Sequence, residues 1–90
     1  MSLPFQQTKT GVDTFAREFL GSVEDHELHW HWDDKNRWFV CEHDTDWQFQ
    51  MEDQLPAVIE RGKTYYIPKK IFHRIIKGEG NLTLQIKEED

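Results

Sequence analysis

Only one cysteine, Cys41, occurs in the chain's 90 residues. A single cysteine excludes an intrachain disulfide and suits a reducing compartment. Long apolar runs are missing too. None approaches the roughly 18 residues of a membrane helix, and the opening "MSLPFQQTKTG" has no apolar h-region of a signal peptide. A cytoplasmic protein without a membrane partner is the expectation. Positive charge is scarce: 11 Lys and Arg stand against 17 Asp and Glu, a formal net charge of −6. That balance argues against nucleic acid or an anionic membrane as the main partner. No repeat, low-complexity tract or linker divides the chain, and its length makes one small domain.

Aromatic residues, by contrast, are plentiful: four Trp, six Phe and two Tyr. Such rings fill a small core, or line a pocket, with few residues. The first 11 residues are polar and read as an extended arm, with the domain proper over 12–90. Val12, Phe15, Ala16, Phe19 and Leu20 follow the spacing of a helix with one apolar face. Thr10 with Asp13 is a capping pair and Gly21 a natural stop, so a short helix is predicted over 11–20. Beyond it the helical period vanishes. Short aromatic and β-branched segments predict strands near 26–32, 37–43, 46–51, 55–60, 64–67, 71–77 and 81–87. The turns "DDKN", "MED", "RGK" and "GEG" separate most of them. Seven short strands at hairpin spacing predict a sandwich or small barrel. The last alternates strictly, with Leu82, Leu84 and Ile86 on one face.

The stretch "ELHWHWDDKNR", Glu27 to Arg37, is the most unusual in the chain. Side chains alternate along a strand, so His29, His31 and Asp33 share one face and Leu28, Trp30 and Trp32 the other. Residues two apart on a strand lie about 6.5–7 Å from each other, close enough for two imidazoles to meet one ion. The plain alternative is a polar face turned to water.

A second segment, "GKTYYIPKKIFHRIIK" from Gly62 to Lys77, bears on the choice. Gly62 supplies a turn into a strand. Pro68 ends it, and the stiff "PKK" turn fixes where His73 points. Here the chain resembles the cupin family. Cupins carry His-x-His followed by a Glu, then Gly, five residues, Pro, one residue, Gly, two residues, His, three residues and Asn. Gly62, Pro68 and His73 stand at the required separations, and "VCEH" (40–43) is similar to the strand end between the motifs. Lys70 stands where the second motif has Gly, and Lys77 where it has Asn. The resemblance spans about 26–87. It implies an all-β fold, a small double-stranded β-helix or jelly-roll barrel, here with one short N-terminal helix, and a homodimer.

The resemblance also implies an inward-facing metal site for Fe, Mn, Ni or Zn. His29, His31 and His73 are its candidate ligands. The family's Glu falls at Lys35 or Asn36, so Asp33 or Asp34 is the substitute carboxylate, with Asp33 taken as the candidate fourth ligand. A second register takes His31-x-Asp33 as the first pair. It places Arg37 at the Glu position, where a cation repels a divalent ion and favours an anionic ligand. Two functions follow. One is a metal-dependent isomerase or dioxygenase of a small polar substrate. The other is a metal-free module binding a small anion through His31, Arg37 and His73. Arg37, Gln48, Arg74 and Trp38 are the candidate substrate contacts. Trp47, Phe49 and Cys41 are expected in the core or pocket wall, His26 and His43 in solvent, and "EED" as a solvated acidic tail.

Overall fold

A computed structural model describes residues 5–22 and 28–90. The predicted contents of 23–27, including His26 and the start of the histidine strand, lie outside the described residues. Among the described residues there are eight strands: β1 (Phe5–Lys9), β2 (Thr14–Phe19), β3 (Asn36–Val40), β4 (Gln48–Met51), β5 (Ala57–Val58), β6 (Thr64–Ile67), β7 (His73–Ile76) and β8 (Leu82–Glu89). One sheet has the order β1-β2-β8-β3-β6 and the other β5-β4-β7, with all pairings antiparallel.

The strand period explains how the two sheets close on one core. β8 buries Leu82, Leu84 and Ile86, as its alternation predicts, and β3 buries Arg37 and Phe39 while Trp38 stands on the opposite face. Phe39 stacks on Tyr65 at 4.8 Å and meets Phe49 of the facing sheet edge-on at 5.1 Å. Those three rings join the sheets. Trp47 is fully buried and its indole N–H donates to the Gly80 carbonyl at 3.2 Å, so the ring leaves no orphan donor.

The predicted helix over 11–20 is a strand, and so is the middle of the expected arm. β1 pairs along its whole length with β2, Phe5 opposite Phe19 and Lys9 opposite Phe15. Among the described residues there is no helix. The reason is visible in β2. Phe15, Arg17 and Phe19 lie on one face at period two, and an inward arginine hides that alternation from a hydrophobicity count. Val12, which completed the helical stripe, is 87% exposed. Gly21 is no helix stop either. A Cβ there would lie 2.6 Å from the Gly80 carbonyl oxygen, and its N–H donates to Asn81 Oδ1, so the glycine permits a close approach of two loops.

Two residues of the Gly62–His73 segment sit in left-handed conformations, Gly62 at φ 81° and Lys70 at φ 65°. Lys70 is thus a side chain in a conformation that glycine adopts without penalty, at the position where the cupin motif has glycine. Its side chain is exposed. Lys70→Gly should therefore raise stability by roughly 0.5–1 kcal/mol, the relief of left-handed strain less the entropy glycine adds to the unfolded chain. Urea unfolding checks this. A midpoint moved to lower urea at unchanged slope would count against the strain.

Candidate metal centre and cavity

Backbone pairing brings two histidines together. His31 and His73 form an isolated antiparallel bridge, His31 N–H to His73 C=O at 3.0 Å and the reverse at 2.9 Å. Directly opposed residues point to one face, and the two rings lie 4.4 Å apart. Each Nδ1 is 2.9 Å from a backbone carbonyl, His29 for His31 and Ile71 for His73. A carbonyl only accepts, so each Nδ1 carries the hydrogen and each neutral ring keeps its lone pair on Nε2. Desolvation, working against the hydrogen bond to the His29 carbonyl, lowers the pKa of His31 and so favours the neutral ring.

Asp33 is placed by the stiff turn after β6. The Lys70 N–H donates to the Asp33 carbonyl at 2.7 Å, and the Lys69 N–H to Asn36 Oδ1 at 2.9 Å. Asp33 Oδ2 then lies 3.2 Å from His73 Nε2 and 3.3 Å from Arg37 Nη1. This buried oxygen has no hydrogen bond, because neither approach has hydrogen-bond geometry. Burial raises the Asp33 pKa, but His73 and then Arg37 outweigh it and hold the carboxyl below its usual range. With His73 neutral, this contact sets two acceptors against each other; a proton on Nε2, the form in which His73 lowers the Asp33 pKa, or a cation between them relieves it. One donor atom each from His31, Asp33 and His73 lies within 4.8 Å of the others. An orphaned oxygen, two Nε2 lone pairs and rings locked through Nδ1 are what a transition metal requires of its ligands.

Arg37 faces the same interior. Its Nε is 3.1 Å from Glu88 Oε2, and Nη2 bonds the same oxygen. Glu88 is thus half-buried against Arg37 rather than in a solvated tail; Glu89 and Asp90 remain exposed. The group borders a cavity of about 380 Å³ whose walls include Phe19, Leu28, Phe49, Ile75, Leu84 and Arg17. The sequence reading missed Arg17 and Glu88. Both carried a signal: Glu88 continues the alternation of Leu82, Leu84 and Ile86, and Arg17 lies midway between Phe15 and Phe19.

The other singled-out residues fall elsewhere. His29 is exposed at the cavity mouth, and its ring is outside the His31–Asp33–His73 group. Gln48 pairs with Ile76 and Val58 on the strand face opposite Phe49, away from the cavity. Arg74 shares that outer face, bonded to Gln50 at 2.9 Å and 4.8 Å above the Trp30 ring. Trp38 packs on Tyr66 at 4.9 Å outside the five-stranded sheet. Period two explains all three: each is one residue out of register with an inward neighbour. His43 is half-buried rather than solvated, and its Nε2 accepts the Thr83 N–H at 3.0 Å.

No protein-family model matches the sequence, and no curated protein is similar to it. Solved structures do share its fold. A cupin-2 domain protein from Shewanella frigidimarina is 23% identical with TM-score 0.63, covering 94% of this chain and 79% of its own. A structure of the DMSP lyases RdDddP and RnDddQII has TM-score 0.71 at 10% identity over 86% of this chain. Fe(II) HppE has TM-score 0.67 at 9% identity over 84% of this chain. The chain spans only 37% of the lyase chain and 41% of HppE. Two antiparallel sheets closed around a cavity, with the histidine bridge at one rim, give this chain the fold of the cupin superfamily, the double-stranded β-helix.

Proposed function

We propose that the chain binds one divalent transition metal through His31, Asp33 and His73 and presents it to a small molecule in the cavity. The observation that carries this reading is Asp33 Oδ2, buried without a hydrogen bond against an imidazole whose hydrogen is committed to the other nitrogen. Two imidazoles and a carboxylate suit Fe(II), Mn(II), Ni(II) or Zn(II). The shared fold of Fe(II) HppE adds support. The metal would supply Lewis-acid or redox chemistry toward a bound substrate. The chain's own residues do the rest. The carbonyls of His29 and Ile71 orient the rings, and the Lys70 N–H holds the Asp33 backbone. Glu88 shares the neutralisation of Arg37 with Asp33, which lessens the repulsion expected from an arginine beside the metal. Mostly apolar walls leave room for the apolar part of a small molecule. Isomerisation and dioxygenation are the two reaction classes this reading covers.

A metal-free reading has one observation in its favour. Glu88, Arg37, Asp33 and a doubly protonated His73 would form an alternating row of charges that closes on itself. Elemental analysis of untagged protein purified without added metal separates the two. Near one equivalent of a transition metal supports the first. Less than a tenth of an equivalent, even after soaking in each of the four ions, supports the second.

A further inference from the structure

The cavity wall holds a second guanidinium. Arg17 projects from β2 into the cavity lining, and among the described residues no carboxylate lies within ion-pair distance of it. Its Nε and Nη2 both donate to Gln7 Oε1, at 2.9 and 2.7 Å, and its Cζ sits 3.9 Å above the Phe5 ring. These contacts staple β1 to β2 but use only the Nε–Nη2 side. The Nη1–Nη2 side, two parallel N–H donors, matches a carboxylate. Arg37 cannot do this work, since Asp33 and Glu88 already answer its charge. Burial, and then the like charge of Arg37, lower the Arg17 pKa to about 10, so the group is still cationic at neutral pH. Asp33 and Glu88 act on this cation only from a distance, and its contacts are a neutral amide and two aromatic rings, so it has no counter-ion in contact.

We propose that Arg17 anchors the carboxylate of a small amphipathic acid, whose apolar body lies along Phe19, Leu28 and Leu84 and whose far end reaches the His31–Asp33–His73 group. The cavity limits such a ligand to about a dozen non-hydrogen atoms, taking ~30 Å³ for each. The proposal rests on the small-molecule reading of the cavity but not on the metal.

Hexanoate and its neutral counterpart hexanamide are suitable probes, titrated by calorimetry into metal-stripped full-length protein. Stripping keeps the carboxylate from binding a metal instead. Hexanoate should bind at least tenfold more tightly than hexanamide. Arg17→Met, which keeps the apolar stem, should erase that preference, and Arg17→Lys should retain part of it. A purely structural arginine would shift the melting temperature without changing the ratio. Should Arg17→Met not fold, Arg17→Gln serves in its place, since its amide can still reach Gln7. Metal content of the unstripped protein is measured separately, so failure of the metal reading and failure of this one are told apart. Absence of hexanoate binding at millimolar concentration, or a preference unchanged in the Arg17 variants, overturns the proposal.

Discussion

His73→Ala should abolish tight metal binding, weakening it by more than roughly 100-fold. Removal of a group that merely orients a ligand already costs about 10–100-fold. His73 is 3% exposed, so its truncation also opens a cavity, and metal loss alone does not distinguish a lost ligand from misfolding. Asp33→Asn removes that ambiguity. It conserves volume, keeps the Lys70 N–H to Asp33 C=O bond, and deletes only the charge and one acceptor. It should lose metal as fully as His73→Ala while keeping a wild-type circular dichroism spectrum. His29→Ala is the third arm. Its ring is outside the group, so metal content should stay near one equivalent. Elemental analysis of the three variants reads the result. Full metal in both His73→Ala and Asp33→Asn would sink the site. Loss in His29→Ala with retention in Asp33→Asn would restore the His29–His31–His73 set and move the site toward the cavity mouth.

That contrast shows why the sequence was readable in some places and not in others. β8 was legible because its inward face is apolar at every second position, and its described bounds, Leu82–Glu89, extend the predicted strand by two residues at the C-terminus. β6 was legible because Gly62 and Pro68 bracket it. β2 was not. Its inward residues are Phe, Arg and Phe, so a cation the fold places in the cavity wall erased the alternation and left a false helical spacing. The residues hardest to assign are thus those with a role other than packing. The histidine stretch is ambiguous for a different reason. Alternation puts His29, His31 and Asp33 on one face, and nothing in their spacing tells which of them meets His73. The His31–His73 backbone bridge and the Lys70 N–H to the Asp33 carbonyl decide that, and both pair residues more than 35 positions apart. Gln48, Trp38 and Arg74 were placed by residue type; strand register turned each of them outward.

Arg37→Met should be the most destabilising substitution at the site in metal-stripped protein. Arg37 is 8% exposed and lies between two carboxylates. Methionine fills most of the volume but leaves Asp33 and Glu88 without their shared cation. Breaking a buried pair from one side costs about 3–5 kcal/mol, and at the lower figure a domain of this size should lose roughly 12–24 °C of melting temperature. The pH dependence follows from the sign of the Asp33 shift. In the wild type its carboxyl is held below the unfolded value, so its stabilisation is present above about pH 4 and is lost as pH falls through the folded pKa. Removing Arg37 raises the folded value. The deficit is then greatest at neutral pH and shrinks as acid protonates Asp33. Glu88→Gln in the same background should recover part of the loss at pH 7 by removing one of the two charges. A divalent metal should recover part of it as well, since the ion takes over the neutralisation of Asp33. Thermal melts of Arg37→Met at pH 7 and pH 4.5, with and without one equivalent of Mn(II), test all of this. A deficit independent of pH would mean that Arg37 acts through packing on Phe15, whose ring centre lies 5.8 Å from its Cζ, and not through charge. Recovery with metal in Arg37→Met but not in Arg37→Met/Asp33→Asn would tie the ion to the same oxygen that is left without a hydrogen bond in the folded chain.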